Sequence, residues 1–136
     1  MATASIKKGL WSPEHYFKNS STQFGHARSL LENYPFKGNE SILDIGCGDG
    51  KITADLAGIV PNGKIVGLDN NLSTLEFARN KFNAETHPNL EFIEGDITDI
   101  EKLGEFDLII SFSCLHFVKD QPAALTNIKK NLADNG

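Results

Sequence analysis

The chain has 136 residues, of which 40% are hydrophobic and 23% are charged, so it is long enough and apolar enough for about one packed domain. Its formal net charge of -5 argues against binding nucleic acid over a broad basic face, because phosphate binding needs clustered Lys and Arg. No apolar run is long enough to cross a bilayer, and residues 1–8 lack the apolar stretch of a secretory signal. Two cysteines are too few for a disulfide framework or a metal cluster. We therefore expect a cytoplasmic protein with no membrane contact and no metal.

Strands and helices are predicted to alternate after a polar leading segment. In that segment one helix is expected to end near Tyr34 and Pro35. The predicted strands are Ser41–Ile45, Lys64–Leu68, Leu90–Ile93 and Phe106–Phe112. Helical patterns separate the first three strands, and a further helix follows the fourth. This alternation predicts parallel βαβ units and an open α/β sheet that is covered on both faces.

Local signals predict the ends and faces of two helices. Ser73 and Glu76 have the spacing of a capping box, with Leu72 placed to contact Phe77 beside it. Asp120 is expected to cap the last helix. The inner face of that last helix is predicted from its spaced large apolar residues, which are Leu125, Ile128 and Leu132.

A glycine-rich turn, 44–50, follows the first predicted strand. Glycines there let the backbone turn tightly and approach a ligand, and the helix after the turn offers unpaired N–H groups. The spacing departs from a dinucleotide fingerprint, because Lys51 stands where the last small residue is needed. It also departs from a phosphate-binding P-loop, because Ile52 follows Gly50-Lys51 in place of Ser or Thr.

Two acids follow the second and third predicted strands. Asp69 lies at about the distance from the glycine turn that a ribose-binding acid requires, and a carboxylate can accept hydrogen bonds from both ribose hydroxyls. Asp96 can accept a hydrogen bond from an exocyclic adenine amine, while Ile97 can lie against the ring. The alternatives are a helix-capping Asp69 and an ordinary polar turn at Asp96. Because ligands of such sheets bind beyond the carboxyl ends of the strands, both acids at one edge favour nucleoside binding.

Taken together, these motifs resemble the class I S-adenosylmethionine-dependent methyltransferases. The resemblance covers about residues 40–136 and rests on Ile42–Gly50, Gly67–Asp69, Gly95–Ile97 and the segment from Phe106 to His116. It implies a Rossmann-like doubly wound parallel sheet, S-adenosyl-L-methionine as the cofactor, and a small-molecule methyl acceptor. The cofactor-binding residues that it implies are Asp44, Gly46, Gly48, Asp69, Asn70, Asp96, Ile97 and Ser113.

The same resemblance implies a role for each part of the site. The glycine loop contacts the methionine part of the cofactor, Asp69 holds the ribose, and Asp96 with Ile97 holds the adenine. Asp44 supports the loop or reaches the methionine amine through water, and Ser113 passes near the cofactor.

The leading segment, 1–39, is expected to form an N-terminal helical cover over an α/β domain at 40–136. Its residues Leu10–Tyr16 are similar to the start of the trans-aconitate and juvenile-hormone-acid methyltransferase group. By that resemblance, Tyr16 and Gln23 lie on the cover. The alternative is a surface helix without a role.

The chain departs from the family in its number of strands. The full family fold has seven strands in the order 3-2-1-4-5-7-6, so the resemblance implies the order 3-2-1-4 here. Because four strands are predicted, the domain is expected to be truncated after the fourth strand. The open edge of that strand would then favour self-association.

No catalytic residue is identified from the sequence. His116 is the only histidine expected at the opening of the site. A packing role or a lid role is favoured for it over the role of a general base. An ionised carboxylate acceptor needs no base, so the acceptor is expected to be a carboxylic acid. The alternatives are a non-catalytic S-adenosylmethionine-binding module and an NAD-dependent dehydrogenase, the latter disfavoured by Lys51 and the Asp96 motif.

Overall fold

The computed structural model describes residues 29–112 and 114–136. Its strands are β1 (Ser41–Ile45), β2 (Lys64–Asp69), β3 (Leu90–Glu94) and β4 (Leu108–Ser111). Its helices are α1 (Lys51–Ile59), α2 (Leu72–Lys81) and α3 (Gln121–Asn131), with a 3₁₀ turn at Leu115–Phe117. All strand pairs are parallel, in the order β3-β2-β1-β4, which confirms the predicted open α/β sheet.

Alternate residues of the central strands build two apolar layers, as expected for a parallel sheet covered on both faces. One layer contains Leu43 and Val66 and packs against Ala124 of α3. The other contains Ile42 and packs against α1 through residues such as Leu56. The helices therefore cover both faces of the sheet, and the carboxyl ends of the strands stay open at one edge.

The leading segment is described only in part. Residues 29–31 are helical, and a turn follows before Tyr34, in agreement with the predicted helix end. Most of the predicted cover of residues 1–39, including Tyr16 and Gln23, lies outside the described residues. No helix within the described part of the chain is long and apolar enough to span a membrane.

Helix α2 begins earlier than its predicted capping box. Its N-cap is Asn71, whose side-chain oxygen accepts a hydrogen bond from the Thr74 N–H at 3.1 Å. The predicted cap at Ser73 is therefore wrong, and Ser73 lies inside the helix. Asn is among the strongest N-cap residues, so Asn71 starts the helix as soon as β2 has ended.

The inner face of α3 also differs from its prediction. Asp120 caps this helix as expected, accepting from the Ala123 N–H at 3.1 Å. However, Leu125 is 60% exposed, whereas Asn127 and Asn131 are buried. The prediction is wrong for Leu125, whereas Ile128 packs against the core as expected. Asn127 and Asn131 are buried because their amides hydrogen-bond backbone groups between β3 and β4, and buried backbone groups need such partners.

Strand β4 is shorter than predicted and pairs with β1 along one edge. Before it, Phe106 forms an isolated parallel bridge with Leu132. Within the described residues, no strand pairs with the other edge of β4. That edge carries the apolar sequence LIIS, whereas the opposite edge of the sheet, β3, carries Glu91 and Glu94.

We expect the 136-residue chain to self-associate through β4. Unpaired N–H and C=O groups on an apolar edge strand can pair with a strand of another chain. Charged residues on β3 disfavour the same pairing at the opposite edge of the sheet. Light scattering over a concentration series should show a dimer or larger species. Hydrogen exchange should show the amides of β4 gaining protection with concentration while those of β3 do not. A monomer at high concentration, with unchanged exchange in β4, would contradict this expectation.

Candidate cofactor-binding site

A cavity of about 780 Å³ lies at the carboxyl ends of the strands. Six of the eight residues predicted to bind the cofactor line it, namely Gly46, Gly48, Asp69, Asn70, Asp96 and Ile97. Asp44 lies outside the lining, and Ser113 lies outside the described residues. The fold thus brings together residues that follow three different strands.

The glycine loop adopts a backbone that ordinary residues avoid. Gly46, Gly48 and Gly50 have φ values of +74°, +58° and +80°, in the left-handed region that glycine populates without steric penalty. A Cβ on Gly46 would lie 2.5 Å from the Cβ and Sγ atoms of Cys114, so glycine is required there for space as well. The Gly46 N–H donates to the Leu68 carbonyl at 2.7 Å, which ties the loop to the end of β2.

The carboxylate of Asp69 links the loop to the start of α2. Its Oδ2 accepts from the Gly48 N–H and its Oδ1 from the Asn71 N–H, both at 2.9 Å. The alternative role of a helix cap is taken by Asn71 instead. Because each carboxylate oxygen has two acceptor positions, Asp69 can hold the loop and still accept hydrogen bonds from a ligand in the cavity.

The third part of the cavity wall combines a carboxylate with an apolar side chain. Thr98 donates its N–H at 2.9 Å and its hydroxyl at 2.8 Å to Oδ1 of Asp96, and these bonds lower the pKa of Asp96. Asp96 is therefore a pure acceptor at neutral pH. Ile97 is buried in the core and also lines the cavity. The polar turn expected at Asp96 is present, and it presents an acceptor beside an apolar surface.

Asp44 lies beneath the loop rather than in the cavity wall. Only 2% of it is exposed, and its Oδ2 accepts from the Thr53 hydroxyl at 2.9 Å. Burial raises the pKa of Asp44 to about 7, opposed by the Thr53 hydrogen bond and reinforced by the charges of Asp69 and Asp49. This position fits support of the loop, the first of the two roles that the resemblance implied.

The far side of the cavity holds residues to which the sequence assigned no cofactor-binding role. Phe117, Lys119 and Asp120 line it, and Phe117 is 77% exposed. His116 is exposed, is not among the lining residues, and packs its ring 4.0 Å from that of Phe117. Phe117 and Lys119 lie between β4 and the start of α3. This position after a parallel strand could have predicted that they reach the same sheet edge as the cavity.

The two cysteines belong to the site's surroundings. Both are free. Burial raises the pKa of the Cys114 thiol, and it raises that of Cys47 far more. Cys114 lines the cavity beside Gly46, while Cys47 packs with Leu75 and Phe92. Neither thiol is therefore set up as a nucleophile, since reactivity needs a lowered pKa.

Comparisons with known proteins show which family the chain is similar to. Residues 36–136 match a family model described as a methyltransferase domain. The chain is 32% identical over 126 residues to the trans-aconitate 2-methyltransferase of Deinococcus radiodurans, covering 93% of this chain and 46% of that protein. It is 35% identical over 130 residues to the juvenile hormone acid O-methyltransferase of Bombyx mori, covering 89% of this chain and 46% of that protein.

A solved structure shows the same fold. Coclaurine N-methyltransferase, crystallised with N-methylheliamine and SAH, has a TM-score of 0.76 and 21% identity, over 96% of this chain and 37% of that one. The chain belongs to the methyltransferase family, as the motifs predicted, and the dehydrogenase alternative finds no support. It spans about half the length of the relatives it matches.

Proposed function

We propose that this chain binds S-adenosyl-L-methionine and forms the cofactor-binding part of a methyltransferase that acts on a small molecule. The observation that carries the proposal is the convergence of Gly46, Gly48, Asp69, Asp96 and Ile97 on one cavity. A cavity of about 780 Å³ is within the usual size of small-molecule sites. When bound, the cofactor supplies an electrophilic methyl group on its sulfonium sulfur.

The residues of the chain fit each part of such a ligand. Gly46 and Gly48 expose backbone that a carboxylate or an amine can approach closely. Asp69 offers lone pairs to a pair of hydroxyls. The ionised Asp96 and the apolar Ile97 together suit a flat ring that carries an amine donor. These residues bind and orient the reacting group, which is the main protein contribution to a displacement of this kind.

The acceptor is proposed to be a small carboxylic acid. Two relatives are named for acids, trans-aconitate and juvenile hormone acid. An ionised carboxylate needs no general base, and no histidine lines the described part of the cavity. Because the chain covers 46% of those relatives, methyl transfer and acceptor choice are proposed for the whole protein.

The proposal also includes the N-terminal cover formed by residues 1–39 and a cytoplasmic location of the protein. Tyr16 and Gln23 would close over the cofactor from the leading segment, and Ser113 would lie beside it. A cytoplasmic location is proposed because two cysteines are too few for the disulfide framework of a secreted domain.

Calorimetry with S-adenosylmethionine, S-adenosylhomocysteine (SAH) and NAD tests the proposed cofactor. We expect the first two ligands to bind with one site per chain and NAD to give no heat of binding. Tight NAD binding with no response to the other two ligands would overturn the proposal. Transfer of a labelled methyl group to a panel of small carboxylic acids, measured separately, distinguishes an enzyme from a non-catalytic binding module.

A further inference from the structure

The segment between β3 and β4 carries part of the cavity wall without regular secondary structure of its own. Asp96 and Ile97 lie in this segment. Its first residue is tied to β2, because the Gly95 N–H donates to the Asp69 carbonyl at 2.9 Å. The bonds of Thr98 and Asp99 to Asp96 are local to the turn. None of these bonds holds the Ile97 carbonyl, whose partner comes from elsewhere in the fold.

Two buried amides of α3 provide that partner. The Asn127 Nδ2 donates to the Ile97 carbonyl at 2.7 Å, and the Leu103 N–H donates to the Asn131 Oδ1 at 2.7 Å. The Asn131 Nδ2 in turn donates to the Asn127 carbonyl at 2.8 Å. Asn127 is 9% exposed and Asn131 is 1% exposed, so breaking these bonds leaves buried polar groups unsatisfied, which is costly.

The two amides hold different parts of the segment. Asn127 holds the backbone of a residue that lines the cavity, whereas Asn131 holds Leu103, which does not line it. The Ile97 side chain is also packed in the core with Ala124, from the same helix. Helix α3 thus holds the backbone of Ile97, while the core cluster as a whole holds its side chain.

We propose that Asn127 is a positioning residue for the recognition of the adenine amine. By fixing the Ile97 carbonyl, it sets where the neighbouring Asp96 carboxylate and the Ile97 side chain face the cavity. Asn127 does not line the cavity, so it acts only through Ile97. This inference rests on the proposed cofactor, because it assigns Asp96 and Ile97 to the adenine end of the ligand.

The test compares SAH with its inosine analogue, in which a carbonyl oxygen replaces the exocyclic amine. The wild-type chain should prefer SAH by at least about tenfold, because the analogue loses a charge-assisted hydrogen bond and sets a carbonyl against a carboxylate. Asn127→Leu, which is similar in size but cannot donate, should reduce this preference at least about fivefold, since the loss of one positioning bond is of that order.

Asn131→Leu is the matched control on the same face of the helix. It should lower the melting temperature at least as much, because it removes two side-chain hydrogen bonds and not one. It should leave the preference within about twofold of wild type, since neither bond holds a residue that lines the cavity. Asn127→Ser, a smaller change that also removes the Nδ2 donor, serves if Asn127→Leu does not fold.

The outcomes separate this inference from the proposed function. A wild-type chain that binds neither ligand contradicts the proposed cofactor itself. A wild-type chain that binds both ligands equally, or a folded Asn127 variant that keeps the full preference, overturns the positioning role. The positioning role is also overturned if Asn131→Leu loses the preference for SAH as strongly as Asn127→Leu does. It is overturned as well if both Asn127 variants fail to fold, because either result means that the two amides serve only the stability of the fold.

Discussion

Replacing Asp69 with Ala is expected to weaken SAH binding by at least about tenfold. A hydrogen bond to a charged group contributes roughly 1.5–3 kcal/mol, and 1.4 kcal/mol corresponds to a factor of ten. In the structure the carboxylate also accepts from the N–H groups of Gly48 and Asn71. The variant therefore loses both the proposed ribose contact and part of the support of the glycine loop. Calorimetry measures the loss, with circular dichroism to confirm folding.

A ligand that lacks one ribose hydroxyl separates these two causes. The wild-type chain should bind 2′-deoxy SAH more weakly than SAH, whereas Asp69→Ala should bind the two alike, because the acceptor for that hydroxyl is gone. Asp99→Ala is the matched control, since Asp99 is an exposed carboxylate near this edge that does not line the cavity. A folded Asp69→Ala chain with an unchanged dissociation constant would rule out the ribose role.

Replacing Asp44 with Asn is expected to remove a large pH dependence of stability. Burial raises the pKa of Asp44 from 3.8 to about 7, so the folded state binds a proton more tightly than the unfolded state. The contribution of Asp44 to the free energy of unfolding is fully present below about pH 4 and is lost as the pH rises through about 7. At 1.36 kcal/mol per pKa unit, the full change is on the order of 4 kcal/mol. Asp44→Asn keeps an oxygen that can accept from Thr53, and above pH 7 it should be at least as stable as wild type.

Urea unfolding at pH 5 and pH 8 measures this effect through the free energy of unfolding. Wild type should lose more stability than Asp44→Asn between the two values. Thr53→Val removes the hydroxyl that lowers the pKa of Asp44, so its loss of stability should extend to higher pH. If Asp44→Asn and wild type show the same pH dependence, Asp44 does not titrate in this range.

Local patterns were sufficient for the framework of this fold. The first strand was predicted with the bounds Ser41–Ile45 that the structure shows, because a short apolar run closed by glycine leaves little choice. The positions of Asp69 and Asp96 after their strands were equally local, so their meeting at one sheet edge could be anticipated from the parallel arrangement. The order of the strands was implied by the family resemblance and not by spacing alone.

Tertiary structure decided the features that depend on what packs against a residue. The inward face of α3 carries Asn127 and Asn131 because a distant segment presents backbone groups to them, and no periodicity of apolar residues encodes that. Asp44 and Asp69 are both acids at the end of a strand, yet Asp44 is sealed under the glycine loop, where burial raises its pKa to about 7, whereas Asp69 lines the cavity. Desolvation and long-range hydrogen bonds arise only when the chain is folded. The sequence therefore determined which residues reach the site. Packing decided which of them line the cavity and which support the residues that do.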